Sequence, residues 1–239
     1  MALSFRPARR RLLGALLWAG IPLPALVALA RGARAMSRRP VAPGVQEMEG
    51  DVRINGRPAR PGQQVKPGDV ASTGAGARLV IVVGQHAFLL RERSEIEFFP
   101  EYFTDESGAV AGTLRVVQGA MLSVFGRTPG VTIDTPVAGI GIRGTACYVD
   151  SRPARTYACV CYGRAELRAA GTGGAPGPLL ETVTTTHHDQ PRYIYPPGAP
   201  AAIAPAPVID HRDAELRMLE ALFDRRPPFD TGGQETDRY

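Results

Sequence analysis

Between residues 51 and 170 the chain is a succession of short apolar and β-branched runs, each ended by glycine or by a proline-containing turn. Asn55-Gly56 is a typical two-residue hairpin turn, because both residues tolerate a positive φ. Residues 78–83 are almost entirely apolar, which is typical of a strand buried on both faces. Because such runs recur about every 8–12 residues without a helical period, the sequence predicts an all-β fold: a sandwich, a barrel or a short solenoid.

The predicted strands together define a β domain over residues 50–195. Gln118-Gly119 is expected to separate two of these strands, since glycine commonly ends a strand or marks a turn. The expected strands lie at residues 51–54, 78–83, 87–90, 94–99, 114–117, 121–125, 131–134, 145–150, 157–161 and 165–169, with a further one at 179–186.

The first 35 residues are predicted to be an export signal. Arg9-Arg10-Arg11 precedes an apolar run over residues 12–30, and Ala33-Arg34-Ala35 provides a small-x-small cleavage site. Arg9-Arg10 followed by Leu12-Leu13 is similar to a twin-arginine signal, which exports proteins already folded. The expected location is therefore the periplasm or the outside of the cell, with membrane contact only through an uncleaved signal.

The basic charge of the chain comes from this signal. The full chain has 28 Lys and Arg against 23 Asp and Glu, a formal net charge of +5. The predicted signal holds six arginines and no acid, which leaves 22 basic and 23 acidic residues and a formal charge of −1. A nucleic-acid-binding domain needs a basic surface, so nucleic acid is not an expected partner.

Several spaced motifs resemble FecR domains, exported sensory modules named after the iron-dicitrate transport regulator. They are Val52-Arg-Ile-Asn-Gly56, the stretch 62–74 and the stretch 114–119, with the strongest similarity at Ile142-Arg-Gly-Thr145 and the following Cys161-Tyr-Gly163. The resemblance covers roughly residues 50–170. It implies a non-catalytic envelope module that binds another envelope protein or a small ligand, in iron- or ligand-linked signalling. It also favours an inward-facing Cys147, where that domain usually has a core hydrophobe.

Two of the three cysteines form the motif Cys159-Val160-Cys161 in a predicted strand. The two-residue period of a strand puts both sulfurs on one face. If Asp150 pairs with Tyr157, Cys147 lies opposite the valine and faces away from the other two cysteines. A register shifted by one residue would bring all three together, and the sequence leaves this choice open.

The adjacent His187 and His188 follow downstream, and together with the cysteines they suit a transition metal or an iron–sulfur centre. The candidate ligands are Cys159, Cys161, His187 and His188, with Cys147 as a further possibility. Sulfurs in a tetrahedral site are roughly 3.8 Å apart, within reach of one strand face. Adjacent histidines of an extended chain point to opposite sides, so one of them is expected to join unless the chain bends. The alternative function is thus a periplasmic metal- or redox-cofactor-binding protein.

Other roles for these residues compete with a metal. Cys147 could form a disulfide with Cys159 or Cys161, as the exported setting favours, or the cysteines could be small buried hydrophobes. A Cys/His/Asp189 nucleophile would need an oxyanion loop that the sequence does not show, so no catalytic residue is predicted. His86 is expected at a turn or strand edge, and His211 at the start of a helix.

The C-terminal part is predicted to end in one helix. Asp210 or Asp213 is expected to cap it, and an apolar stripe would either dock on the β domain or be held out to a partner. The stripe contains Leu216, Leu219, Leu222 and Phe223. The predicted segments outside the β domain are an N-terminal linker at 36–49, a Pro/Ala-rich linker at 196–209, the helix at 210–226 and a tail at 227–239.

Overall fold

The described residues form sixteen strands and one helix, which confirms the all-β fold with a C-terminal helix. The computed structural model describes residues 41–99, 103–104, 110–126, 130–172 and 175–230. The predicted export signal and most of the predicted tail lie outside these residues. The strands are β1 (Gly44–Glu49), β2 (Val52–Ile54), β3 (Arg57–Pro58), β4 (Val70–Thr73), β5 (Arg78–Val83), β6 (His86–Leu90), β7 (Glu95–Phe98), β8 (Phe103–Thr104), β9 (Val110–Val124), β10 (Gly130–Asp134), β11 (Ala138–Ile142), β12 (Ala146–Arg152), β13 (Arg155–Ala169), β14 (Leu179–Thr185), β15 (Arg192–Ile194) and β16 (Ile203–Pro205), followed by the helix α1 (Asp213–Ala221).

Five of the strands close into a barrel, one of the architectures that the sequence predicts. Around the ring, β9 pairs with β10, β10 with β11, β11 with β13, β13 with β12, and β12 with β9. The β9–β10 pair is parallel and the others are antiparallel. Closure pairs both edges of each ring strand, and the remaining strands extend the sheet from β9 and β13.

The ring can close because β9 and β13 are long strands that bend at glycines. Gly119 within β9 has φ 80° and Gly163 within β13 has φ 91°, a conformation that other residues avoid. The prediction that Gln118-Gly119 separates two strands was wrong, and residues 157–161 and 165–169 likewise belong to one strand. A glycine bends a strand without ending it when the neighbouring strands supply hydrogen bonds on both sides of the bend.

Both predicted linkers contain strands that the sequence did not indicate. β1 lies within the stretch 36–49 and pairs with β5, while β16 lies within 196–209 and pairs with β15. Both are short, and their sequences are polar or rich in proline and alanine. Pairing with a neighbour already in the sheet therefore decides their conformation, where local propensity does not.

Two apolar clusters lie on opposite faces of the sheet that contains β5, β6, β12 and β13. The barrel core, which includes Cys147, Val149, Ala158 and Val160, fills one face. The outer cluster lies on the other face and is covered by residues from the C-terminal part of the chain. It includes Val80, Val82, Leu89, Leu122, Val124, Tyr148, Tyr157, Cys159, Cys161 and Tyr162, together with Leu216 and Leu219 of α1.

The helix α1 docks on the outer cluster, which is the first of the two predicted arrangements. Leu216 and Leu219 are fully buried. The helix is shorter than the predicted 210–226 because Arg212 is its N-cap and Asp224, with φ 57°, lies beyond its end. Asp213 is therefore the first helical residue and not the cap, which leaves its carboxylate free of a capping role. Within the described residues, no helix is long and apolar enough to cross a membrane.

Candidate metal centre

Four side chains of the outer cluster bring their ligand atoms to one point. The sulfurs of Cys159 and Cys161 and one ring nitrogen each of His188 and His211 all lie within 4.8 Å of one another, and all four residues are buried. Cys159 Sγ is 3.5 Å from His188 Nδ1, which is 3.0 Å from His211 Nε2. We call this group the Cys2His2 cluster. It joins β13, the turn after β14 and the turn before α1.

The turn after β14 directs His188 into the cluster. His188 has φ 53°, and its backbone N–H donates to the carbonyl of Cys161 over 2.9 Å. The Asp189 carboxylate accepts hydrogen bonds from the Thr185 hydroxyl at 2.9 Å and from the Thr186 backbone N–H at 3.3 Å. The chain therefore bends at the histidine pair, and the bend rather than a strand geometry decides which imidazole faces the cysteines.

Hydrogen bonds outside the cluster fix which nitrogen of each imidazole carries a proton. His211 Nδ1 lies 2.6 Å from the carbonyl oxygen of Ile209, so Nδ1 is the donor and Nε2 presents its lone pair to the cluster. His188 Nε2 lies 3.2 Å from Asp213 Oδ1, so this nitrogen donates and Nδ1 presents its lone pair. The His211 ring also stacks on Tyr148, with centroids 4.6 Å apart, which holds its plane.

When both imidazoles are neutral, two lone pairs therefore face each other over 3.0 Å, between His188 and His211. This arrangement is repulsive unless a proton or a cation lies between the two nitrogens. In a tetrahedral zinc site the metal–ligand lengths imply N···N separations of about 3.3 Å and S···N separations of about 3.5 Å. The separations in the cluster are close to both values. The donor set, two sulfurs and two imidazoles, also suits zinc or another borderline-soft ion.

The cluster favours one thiolate. A hydrogen bond from Cys161 lowers the pKa of Cys159 well below its usual value, and His188 and His211 add to this against the opposing effect of burial. Burial and the neighbouring Cys159 raise the pKa of Cys161. Burial alone would lower the pKa of His188, but the interactions with Cys159 and Asp213 outweigh it and the pKa is raised. Negative charge thus concentrates on Cys159, where a cation would be bound.

Of the two adjacent histidines that the sequence predicts as ligands, His187 is not part of the Cys2His2 cluster. Its Nε2 lies 2.9 and 3.0 Å from the two carboxylate oxygens of Asp213, and its ring stacks on Phe229 at 4.2 Å. Asp213 therefore lies between His187 and His188. A carboxylate that accepts the second N–H of a ligating histidine fixes its orientation and raises its basicity. Asp213 and His187 thus support the cluster from outside.

Cys147 lies on the other face of the sheet. Asp150 pairs with Tyr157, which places Cys147 opposite Val160 and within the barrel core, the inward position that the FecR resemblance favours. The alternative register, in which all three cysteines meet, does not occur. All three cysteines are free, and the sheet separates Cys147 from the other two, so the hairpin disulfide would need a different register.

The carboxylate that binds the histidine side chains belongs to Asp213, and not to Asp189 as the Cys/His/Asp hypothesis required. Asp189 binds Thr185 and Thr186, whereas Cys159, His188 and Asp213 follow one another in hydrogen-bonding order. That order is similar to a Cys/His/Asp relay. Cys159 is fully buried, however, so a substrate could not reach its sulfur in this conformation.

His86 is the first residue of β6, beside the turn after β5, and its side chain is fully buried, which the sequence did not indicate. Its Nδ1 accepts a hydrogen bond from the Gly126 N–H over 3.2 Å, and its Nε2 has no partner among the described residues. Burial, with a smaller effect of the Arg225 charge, lowers the pKa of His86 to about 3. The imidazole is therefore neutral in the folded protein at any pH above that value.

We expect this histidine to make the folded protein sensitive to acid. The unfolded chain takes up the proton near pH 6.5 and the folded chain only near pH 3, so stability is lost as the pH falls through this window. Between pH 7 and 4.5 the loss should be about 2–3 kcal/mol. The His86→Asn variant keeps an acceptor for Gly126 but cannot titrate. Urea unfolding of both metal-free proteins at the two pH values should show a smaller loss in the variant, and equal losses would contradict the prediction.

Comparison with known structures gives a distant match. Two crystal structures of a candidate anti-sigma factor from Parabacteroides distasonis, at 2.50 and 1.65 Å resolution, each align with a TM-score of 0.44. The identity is 10% for the first and 11% for the second, over 57% of this chain and 58% of that chain. This chain thus spans less than two thirds of the length of the protein it matches. No family model and no curated protein matches the chain. The FecR resemblance remains a prediction.

Proposed function

We propose that the protein is a metal-binding module that holds one transition-metal ion, of the zinc type, at Cys159, Cys161, His188 and His211. The observation that carries the proposal is the convergence of two sulfurs and two imidazole nitrogens within 4.8 Å, with the His188 and His211 nitrogens 3.0 Å apart. A cation at this point would bind all four ligand atoms at once. Two thiolates would also neutralise the charge of a divalent ion.

The burial of the cluster favours a structural or sensory role for the ion. All four ligands are at most 2% exposed, so a tetrahedral ion would have four protein ligands and no open position. Catalytic zinc sites keep a position for water or substrate, whereas structural sites are closed. A single ion also fits better than an iron–sulfur centre, because four ligand atoms within 4.8 Å surround one atom and not a cluster.

The module is proposed to act in the cell envelope. The predicted signal at residues 1–35 supports export, and the resemblance to FecR domains supports a non-catalytic sensory role with another envelope protein as partner. The metal would then be the small ligand that the module responds to. Iron-linked signalling would require that the cluster binds iron, and soft sulfur ligands with imidazoles accept both zinc and iron.

Metal analysis of purified protein tests the binding. Elemental analysis of the wild-type protein, produced in a medium with zinc, iron and copper, is expected to find one metal ion per chain. Cobalt substitution should give the visible absorption of a tetrahedral site with sulfur ligands. Protein that stays metal-free and takes up none of these ions at micromolar concentration would contradict the proposal.

Two histidine variants test which residues bind the ion. His211→Ala removes one of the four donors, and it is expected to weaken binding by at least about 100-fold, since a three-ligand site loses affinity and gains water. His86→Asn is the matched control, because it also replaces a buried histidine, but one that binds Gly126 and lies outside the cluster. It should retain one ion per chain. Equal losses in both variants would place the ion at a site other than the Cys2His2 cluster.

A further inference from the structure

We infer that the metal ion clasps a C-terminal lid onto the barrel, so that occupancy of the Cys2His2 cluster controls whether the lid is closed. The lid is the segment 206–230, which includes α1. This inference rests on the proposed function, since it requires an ion at the cluster. It adds a conformational consequence that metal binding alone does not require.

The ligands are divided between the lid and the sheet. Cys159 and Cys161 belong to β13, and His188 belongs to the turn that is tied to β13 through the Cys161 carbonyl. His211 is the one member of the cluster that belongs to the lid. Without an ion, the His188–His211 contact closes only with a proton between the two nitrogens. With an ion, the same two nitrogens become ligands of one centre and hold the lid closed.

The other lid contacts are polar or only partly buried. Leu216 and Leu219 are fully buried, but Leu222, Phe223 and Phe229 are not. The Glu215 carboxylate accepts two hydrogen bonds from Arg91 at 2.6 Å, and Tyr162 donates to Glu220. The Tyr157 hydroxyl donates to the carbonyl of Pro207 over 3.0 Å. Asp213 of the lid also binds His187 and His188, and Phe229 stacks on His187. Two fully buried leucines and these polar and aromatic contacts order about 25 residues, so closure is expected to depend strongly on a further contact.

The lid segment around His211 borders a groove from which an ion could reach the cluster. The groove has a volume of about 970 Å³ and lies between the chain near Ala77 and Arg78 and the lid residues 208–215. His211 and Tyr148 form part of its wall. His211 belongs to the cluster, and its ring stacks on that of Tyr148. Movement of the His211 ring would therefore open the cluster to the groove. His211 is both the lid's ligand and the residue that separates the ion from solvent.

Opening of the lid would change the surface of the protein. Leu216 and Leu219 cover the outer cluster, which contains apolar and aromatic side chains of β6, β9, β12 and β13. Once α1 moves away, this face meets water. Loss of the ion from the buried site would thus expose an apolar surface, to which another protein can bind.

Hydrogen exchange of the full chain tests the lid. The amides of residues 214–223 are expected to exchange at least about 50-fold more slowly in zinc than in excess chelator, at exchange times at which the amides of β5 and β6 are still protected in both samples. Native mass spectrometry of the same samples reports the zinc occupancy. If zinc binds at one ion per chain and the exchange of α1 changes less than twofold, the lid inference is wrong while the metal proposal stands. If the wild-type protein binds no zinc, the metal proposal itself fails.

Two variants distinguish closure of the lid through His211 from a general stabilisation of the fold by zinc. In His211→Ala, α1 is expected to exchange at the metal-free rate at zinc concentrations that saturate the wild-type protein. In Cys147→Ala, which removes a sulfur that faces the barrel core and not the cluster, zinc should still slow the exchange of α1. Unchanged exchange of β5 and β6 shows that each variant is folded. Zinc-dependent protection of α1 in folded His211→Ala would overturn the assignment of His211 as the clasp.

Discussion

Saturating zinc is expected to raise the free energy of unfolding of the wild-type protein by about 4 kcal/mol, and the Cys159→Ala variant should lose this gain. A ligand that binds only the folded state stabilises it by RT ln(1 + [L]/Kd), which is about 4 kcal/mol at a free concentration of 1,000 Kd. For a domain of this size the melting temperature should rise on the order of 10 °C. Thermal and urea unfolding in zinc and in chelator measure both quantities.

Cys147→Ala is the matched control for this experiment. Cys147 lies on the neighbouring strand of the same hairpin and is as deeply buried as Cys159, but it faces the barrel core. Removal of its sulfur should cost about 1–2 kcal/mol in zinc and in chelator alike, through loss of packing. The zinc-dependent gain should remain complete. If Cys147→Ala also loses the gain, or if Cys159→Ala retains it, the assignment of the ligands is wrong.

Much of the site near β13 could be predicted from the sequence because it depends on local periodicity. A strand has a period of two, so Cys159 and Cys161 share a face in any fold that keeps β13 a strand. The two orientations of Cys147 could be named but not chosen, because the choice depends on the register of β12 with β13. That register is fixed by the burial of Cys147 and Val149 on the core face, which is a tertiary property.

His211 could not be predicted as a ligand because no local pattern connects it to the cysteines. It lies 23 residues after His188 and reaches the cluster only because α1 docks on the outer cluster. Asp213 was one of the two predicted candidates for the helix cap, and its carboxylate instead binds His187 and His188. Both side chains are brought to the site by docking of the lid. The turn chemistry around Asp210–Asp213 indicated a helix start, but it carried no information on the partner of that turn.

The strands show the same division between local and tertiary information. Long apolar runs such as β5 were predicted with the correct bounds, because burial on both faces requires apolar residues throughout. β11 was missed, since Gly139 and Gly141 alternate with Ile140 and Ile142 and weaken the strand pattern. Its backbone is held by β10 on one side and β13 on the other. Pairing on both sides decides the conformation of a strand whose side chains give little indication of it.

Gly119→Ala is expected to destabilise the protein by at least about 3 kcal/mol, because the bend of β9 needs both a positive φ and an absent side chain. Gly119 has φ 80°, and a Cβ at this position would lie 2.5 Å from Ser94 Cα and 2.6 Å from the carbonyl oxygen of Arg93. Ser94 cannot move away easily, since its hydroxyl accepts from the Ala120 N–H over 2.9 Å. Urea unfolding of the metal-free protein measures the loss.

Gly68→Ala separates the effect of the backbone from that of the contact. Gly68 has φ 87°, close to that of Gly119, but a Cβ there would meet no atom within 4 Å. Its cost should therefore be the conformational cost alone, about 1 kcal/mol. The excess loss in Gly119→Ala then measures how tightly β9 packs against the turn before β7. If the two variants lose the same stability, close packing at the bend does not hold the ring closed, and the bend follows from backbone preference at glycine alone.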